Sequence, residues 1–193
     1  MNVIFEKIYE FDHFVLLFIQ DNIRCDVLTP IMTVTSMLVN IGFLWVISGL
    51  IMLCFKKTRM IGVITLSSLA LCLILNNVCI KHLVARQRPF TTYTDLYPLI
   101  KKPTDYSFAS GHTTASFAAV GIWARFIPKK FAVIAIIFAV LVGFSRLYLG
   151  VHYPTDVLCG VLLGLLGSII TYFIYSKKFD LNKYKMVKAP VKK

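Results

Sequence analysis

Lys81 and Arg88-Pro89, the run Ser110-Gly111-His112, and Ser145-Arg146 followed by His152 and Asp156 place cations, imidazoles and one carboxylate at the rims of apolar segments. That combination is suited to phosphoryl chemistry at a membrane surface. A guanidinium binds phosphate through two parallel contacts and an ammonium acts as a point charge, so Lys81 and Arg88 suit a dianionic phosphoryl group. If a helix continues from Lys81, the two share a face and Pro89 ends it. Arg86, between them, reads as a side chain snorkelling to lipid headgroups.

Ser110 is a good helix N-cap, and the N–H groups of Gly111 and His112 would then point out of the helix unpaired, where an anion is favoured. Gly111 lets the backbone come close to an oxyanion. Asp156 falls in the first turn of a helix that Pro154 can open, and His152 lies four residues earlier. A carboxylate beside a histidine fixes the tautomer and stabilises the charged ring, leaving the other nitrogen as nucleophile or base. Each motif also has a plainer account: Ser110 a simple cap, Lys81 and Arg88 interfacial cations, His152 and Asp156 a structural pair.

The elements that must position these groups are membrane helices. Of 193 residues, 58% are hydrophobic and 16% charged, with a mean hydropathy of +0.74, whereas soluble domains run near ~45–50% apolar and ~25% charged. A soluble bundle would need polar helix faces, which Ile61–Ile80 and Phe131–Phe144 do not offer. Spanning helices need ~20 apolar residues, and crossings are expected at Val39–Phe55, Met60–Ile80, Ser110–Phe126, Phe131–Tyr148 and Pro154–Tyr175. An amphipathic stretch, Val3–Ile19, precedes them. An apolar helix from about Val27 either runs into the first crossing or breaks near Asn40-Ile41-Gly42. The expected fold is all-α, a polytopic bundle of five or six transmembrane helices with an amphipathic N-terminal segment (1–24), a single domain over 1–176 and a basic tail over 177–193.

Lys56, Lys57 and Arg59 fill one connection, Arg125, Lys129 and Lys130 another, and Lys177, Lys178, Lys183, Lys185, Lys188, Lys192 and Lys193 the tail, with Asp180 the one acid among them. The positive-inside rule makes that side cytoplasmic and puts all three motifs outside. The net charge of +12 sits in those loops and the tail, where topology and anionic lipid account for it, so no nucleic-acid partner is expected. Cys25, Cys54, Cys72, Cys79 and Cys159 lack paired spacing and indicate neither disulfides nor zinc. The start lacks the pattern of a cleaved leader, and no internal repeat is evident. Alternating crossings bring Lys81, Ser110, Arg146 and Pro154 to four termini on one side, where one pocket can gather them.

Together the three motifs resemble the signature of the type 2 phosphatidic acid phosphatase superfamily, Lys-x6-Arg-Pro, then Pro-Ser-Gly-His, then Ser-Arg-x5-His-x3-Asp. Here it reads Lys81-x6-Arg88-Pro89, Ala109-Ser110-Gly111-His112 and Ser145-Arg146-x5-His152-x3-Asp156. Ala109 departs from the usual proline without removing a reactive group. The resemblance implies a metal-independent membrane phosphatase with no cofactor, working through a phosphohistidine. His152 would attack phosphorus, Asp156 would orient it and His112 would protonate the leaving oxygen. Lys81, Arg88, Arg146, Ser110 and Gly111 would hold the phosphoryl oxygens.

The partners so implied are the bilayer and a membrane-embedded lipid phosphate or diphosphate. In small bacterial members that is commonly undecaprenyl diphosphate at the cell membrane, with phosphatidylglycerol phosphate and phosphatidic acid as rivals. Two other classes compete: an anion transporter, which would place charged or broken positions at mid-membrane, and a vanadate haloperoxidase, which is typically soluble. Gly160, Gly164 and Gly167 read as helix-packing residues.

Overall fold

The computed structural model describes residues 3–186, and among them every regular element is helical. Lys188, Lys192 and Lys193 of the expected tail lie outside the described residues. The first helix, α1 (Val3–Asn22), is amphipathic: Phe11, Phe14 and Phe18 are exposed, whereas Asp12, Leu16 and Ile19 are buried at i, i+4 and i+7.

Helices α2 (Leu28–Leu38) and α3 (Phe43–Cys54) are separated by a 3-10 turn at Asn40–Gly42 and bent by 43°. Ile41 at φ 55° and Gly42 at φ 73° make that break. The continuous crossing expected over Val39–Phe55 is therefore a bent pair, since α3 has only 12 residues. Helix α4 (Arg59–Leu73) continues through a π-helical stretch, Ile74–Ile80, into α5 (Lys81–Val84).

At Ala85, φ +47°, the helix stops, and Arg88 is extended. Lys81 and Arg88 thus do not share a helix face. Pro89 does not end a helix either; it opens a short one, α6 (Pro89–Thr92), where its missing N–H costs nothing. Then follow α7 (Gly111–Phe126), α8 (Lys129–Tyr148) and α9 (Pro154–Ser176).

The run Arg59–Thr92, α8 and α9 are each long and apolar enough to cross a bilayer, and the bent α2–α3 pair adds a fourth candidate. The 16 residues of α7 include Thr113, Thr114 and Ser116, all buried. Its polarity is tolerable because α4, α8 and α9 surround it rather than lipid. Close approach is made by glycines: a Cβ on Gly164 would lie 2.8 Å from the Ala118 nitrogen and the Phe117 Cβ, and one on Gly160 would lie 2.9 Å from the Ser110 oxygen. Trp45 of α3 closes the centre, donating to Ser116 Oγ at 2.9 Å and meeting Trp123 edge to face.

At one end of the bundle Ile61, Ile122, Phe126 and Leu181 cluster, and the chain returns to place the Met186 N–H 2.7 Å from the Phe126 carbonyl. The opposite end gathers α5, the start of α7, the end of α8 and the start of α9.

Candidate active site

That second end encloses a cavity of about 1010 Å³ lined by Lys81, Arg88, Gly111, His112, Arg146 and His152. Its remaining wall is partly apolar, with Met37, Val39, Ile41 and Leu73. Six of the eight candidate residues therefore meet in one space, although they come from four separate segments. Asp156 and Ser110 do not line it: Asp156 lies behind His152, and Ser110 is fully buried.

His152 sits in the short connection between α8 and α9. Its Nδ1 is 3.4 Å from Asp156 Oδ2 and 3.5 Å from Ser107 Oγ, while Nε2 turns toward the cavity, 3.4 Å from Arg88 Nη1. The carboxylate on the Nδ1 side favours the tautomer with its proton there, leaving Nε2 with a free lone pair. Burial outweighs the pull of Asp156 and pushes the imidazole down to about 4, so the ring is neutral at neutral pH.

Asp156 is held on all sides. Oδ2 accepts the Tyr153 N–H at 3.0 Å and the Ser107 hydroxyl, and Oδ1 accepts Arg86 Nη1 at 2.8 Å. As third residue of α9 it caps the helix start, where negative charge is favoured. Arg86 is the clearest departure from expectation. It does not snorkel but is largely enclosed, its side chain 9% exposed, between Asp156 and Asp12 of α1, which accepts from Arg86 Nη2 at 2.6 Å. The Tyr153 ring lies 3.7 Å beneath its guanidinium.

Arg88 is 4% exposed and donates to the Val151 carbonyl at 2.6 Å, to the Asp105 carbonyl at 2.8 Å and to Asp105 Oδ1 at 2.7 Å. Lys81 binds the other Asp105 oxygen. The two cations therefore converge through a carboxylate rather than along a helix. Burial pushes Asp105 up, but the hydrogen bond from Lys81 and the charge of Arg88 outweigh it and hold the group well below the usual carboxylate range.

Arg146 differs from both. It is 4% exposed, its Nη1 donates to Ser36 Oγ, its Nε has no partner, and among the described residues no carboxylate pairs with it. A buried, uncompensated guanidinium is costly, and here it faces the cavity beside His112 and His152. Ser110 occupies the N-cap position of α7 without a side-chain cap; its oxygen accepts from Thr113 Oγ1 at 3.0 Å. The Gly111 end of α7 lines the cavity, so the positive end of that helix is directed where an anion would lie.

Sequence reasoning missed Asp105, Ser107 and Asp12. The first two lie in the polar loop before the Ser-Gly-His run, where nothing in their spacing distinguishes them. Asp12 did carry a signal, because it falls on the same helical stripe as Leu16 and Ile19.

Residues 61–180 match the PAP2 superfamily sequence profile, more than half of the chain. The chain belongs to the PAP2 superfamily. The matched segment holds all eight candidate residues and excludes α1, α2 and α3. An undecaprenyl-diphosphatase of Sulfolobus acidocaldarius is 38% identical over 134 residues, which cover 69% of this chain and 65% of that protein. Over other curated relatives the chain spans about half of their length. The crystal structure of a transmembrane PAP2-type phosphatidylglycerolphosphate phosphatase from Bacillus subtilis superposes with a TM-score of 0.74 at 30% identity, covering 93% of this chain and 90% of that one. That of Aquifex aeolicus LpxE gives 0.71 at 26% identity, covering 82% and 93%.

Proposed function

We propose that this PAP2 protein is a metal-independent lipid phosphatase that acts through a phosphohistidine at His152. The observation that carries the reading is one cavity in which a neutral, carboxylate-backed imidazole presents Nε2 beside Arg88, with Lys81 and Arg146, which pairs with no carboxylate among the described residues, lining the same space.

In the first step His152 Nε2 bonds to phosphorus and the bond to the leaving oxygen breaks, with His112 giving that oxygen a proton. Asp156 offsets the positive charge gained by the ring. In the second step His112 takes a proton from water, which attacks phosphorus and frees His152 and inorganic phosphate. Phosphoryl transfer spreads charge over the equatorial oxygens, so catalysis rests on positioning and charge stabilisation. Lys81, Arg88, Arg146 and the Gly111 N–H supply both, and Ser110 holds the turn that presents Gly111.

The substrate best supported is undecaprenyl diphosphate, cleaved to undecaprenyl phosphate and phosphate. The apolar wall of Met37, Val39, Ile41 and Leu73 suits an amphiphile whose chain stays in the bilayer, and the Sulfolobus relative bears that name. Phosphatidylglycerol phosphate is the second reading, favoured by the Bacillus structure. In the topology we infer, the α2–α3 pair, the α4 run, α7, α8 and α9 make five crossings of a bacterial cell membrane and α1 lies at its surface. The cavity then opens outside and residues 177–193 lie in the cytoplasm. The loop cations support that orientation. Residues 1–176 act as one phosphatase domain.

Phosphate release in chelator from a panel comprising undecaprenyl diphosphate, phosphatidylglycerol phosphate and phosphatidic acid tests the reading. Turnover of the diphosphate, lost in His152→Ala, is expected. No release from any member overturns it, and a clear preference for phosphatidylglycerol phosphate selects the second reading.

A further inference from the structure

We propose that Asp12, contributed by α1, is a positioning residue of the reaction: it neutralises Arg86 and so leaves the negative charge of Asp156 to the His152 ring. The inference rests on the roles of His152 and Asp156 proposed above, and adds a helix that lies outside the segment matched to the family.

The two carboxylates are completely buried and Arg86 lies between them. Asp12 Oδ2 accepts from Arg86 Nη2 at 2.6 Å, and its Oδ1 accepts the Thr155 N–H at 3.0 Å in the first turn of α9. Arg86 Nη1 bridges onward to Thr155 Oγ1 at 2.7 Å and Asp156 Oδ1 at 2.8 Å. The other Asp156 oxygen serves the His152 ring. A continuous chain of charged contacts thus runs from α1 to the imidazole.

Charge balance explains the second carboxylate. One acid would suffice to pair a buried guanidinium, but that acid would be Asp156, and its field at His152 would be largely cancelled. His152 already faces the cations Arg88 and Arg146, and His112 shares its cavity. When the ring takes up phosphorus it becomes positive, and among the described residues Asp156 is the one carboxylate in contact with it. With Asp12 present the Asp12–Arg86–Asp156 cluster carries a net charge of −1; without Asp12 it carries none. The other titratable side chains beside the cluster are Tyr9, Tyr93, Tyr153 and Cys159, and burial holds the Tyr93 and Tyr153 phenols above their ordinary range, so neither adds a charge to that count. A hydrogen-bonded anchor for α1 would need no carboxylate, and burying a second one is costly unless its charge is used.

The test is a charge cycle on the full-length protein in detergent micelles, with undecaprenyl diphosphate as substrate and His152 followed by NMR of 13C-labelled histidine. In Asp12→Asn, kcat is expected to fall about ten-fold, with KM moving less than about three-fold and the His152 midpoint moving down. Arg86→Gln alone is expected to raise the midpoint. The double variant, which restores the net charge of −1, is expected to return both the midpoint and kcat, the latter to within about three-fold of the parent. A purely structural anchor predicts the reverse: the double variant as slow as Asp12→Asn or slower, with the midpoint unmoved, and that result overturns the proposal. If Asp12→Asn does not accumulate as folded protein, Arg86→Gln decides alone, because an unmoved midpoint there also overturns it. Turnover surviving in His152→Ala would instead strike the underlying phosphatase mechanism.

Discussion

Asp105 holds Arg88 at 2.7 Å with one carboxylate oxygen and Lys81 with the other, so an acid of the protein lies on two of the cations that would bind phosphate. An incoming phosphoryl group must displace it, and occupancy of the cations by Asp105 lowers the apparent affinity of every anion by the same factor. Asp105→Asn is therefore expected to lower KM and the inhibition constant of inorganic phosphate together, by roughly three-fold or more. Inhibition assays measure both. If both rise instead, Asp105 serves to orient the cations for substrate.

Arg146 separates activity from stability. Arg146→Gln is expected to lower kcat/KM about 100-fold, as loss of a charge-stabilising donor does. Because no carboxylate pairs with Arg146 among the described residues, the same change breaks no ion pair and removes an uncompensated buried charge. The melting temperature in detergent is expected to hold or rise. A fall of several degrees would mean that the guanidinium is structural.

The His152 ring gives a pH test. Burial, working against Asp156, pushes it down to about 4, so protonation should abolish its nucleophilicity only as the pH falls through that value and not at 6.5. Titration of the free protein by NMR, with the resonance assigned through His152→Ala, checks this. A midpoint near 6.5 would show that the ring is solvated.

Gly164 tests the packing that brings the motifs together. A Cβ there would lie 2.8 Å from the Ala118 nitrogen and the Phe117 Cβ, and backbone cannot give way as a flexible side chain can. Gly164→Ala is expected to cost about 1–3 kcal/mol of stability by forcing α9 off α7, read as a lower melting temperature. An unchanged melting temperature would contradict the close approach.

The candidate site was largely legible in the sequence because its residues sit at helix termini, and termini are fixed by hydropathy and by Pro, Gly and Ser. Pro154 opening α9, Gly111 starting α7 and Arg146 in the last turn of α8 all follow from such signals. The path between Lys81 and Arg88 did not, since the break at Ala85 carries no Gly or Pro, and the residue on which the two cations converge, Asp105, is a tertiary partner. Arg86 was misread for a related reason. An arginine near a membrane interface looks alike whether it reaches lipid or two buried acids, and one of those acids, Asp12, is 74 residues away. The break at Asn40–Gly42 was visible as a Gly-containing interruption, but only the structure decides that α2 stops there.

Phosphorus is expected to pass through His152. Acid–base behaviour of the trapped intermediate tests it most directly: enzyme quenched during turnover of substrate labelled at the phosphate to be released should carry label that is stable to alkali, labile to acid and mapped to His152, with none in His152→Ala. Turnover with no labelled protein, or label on another residue, would contradict it.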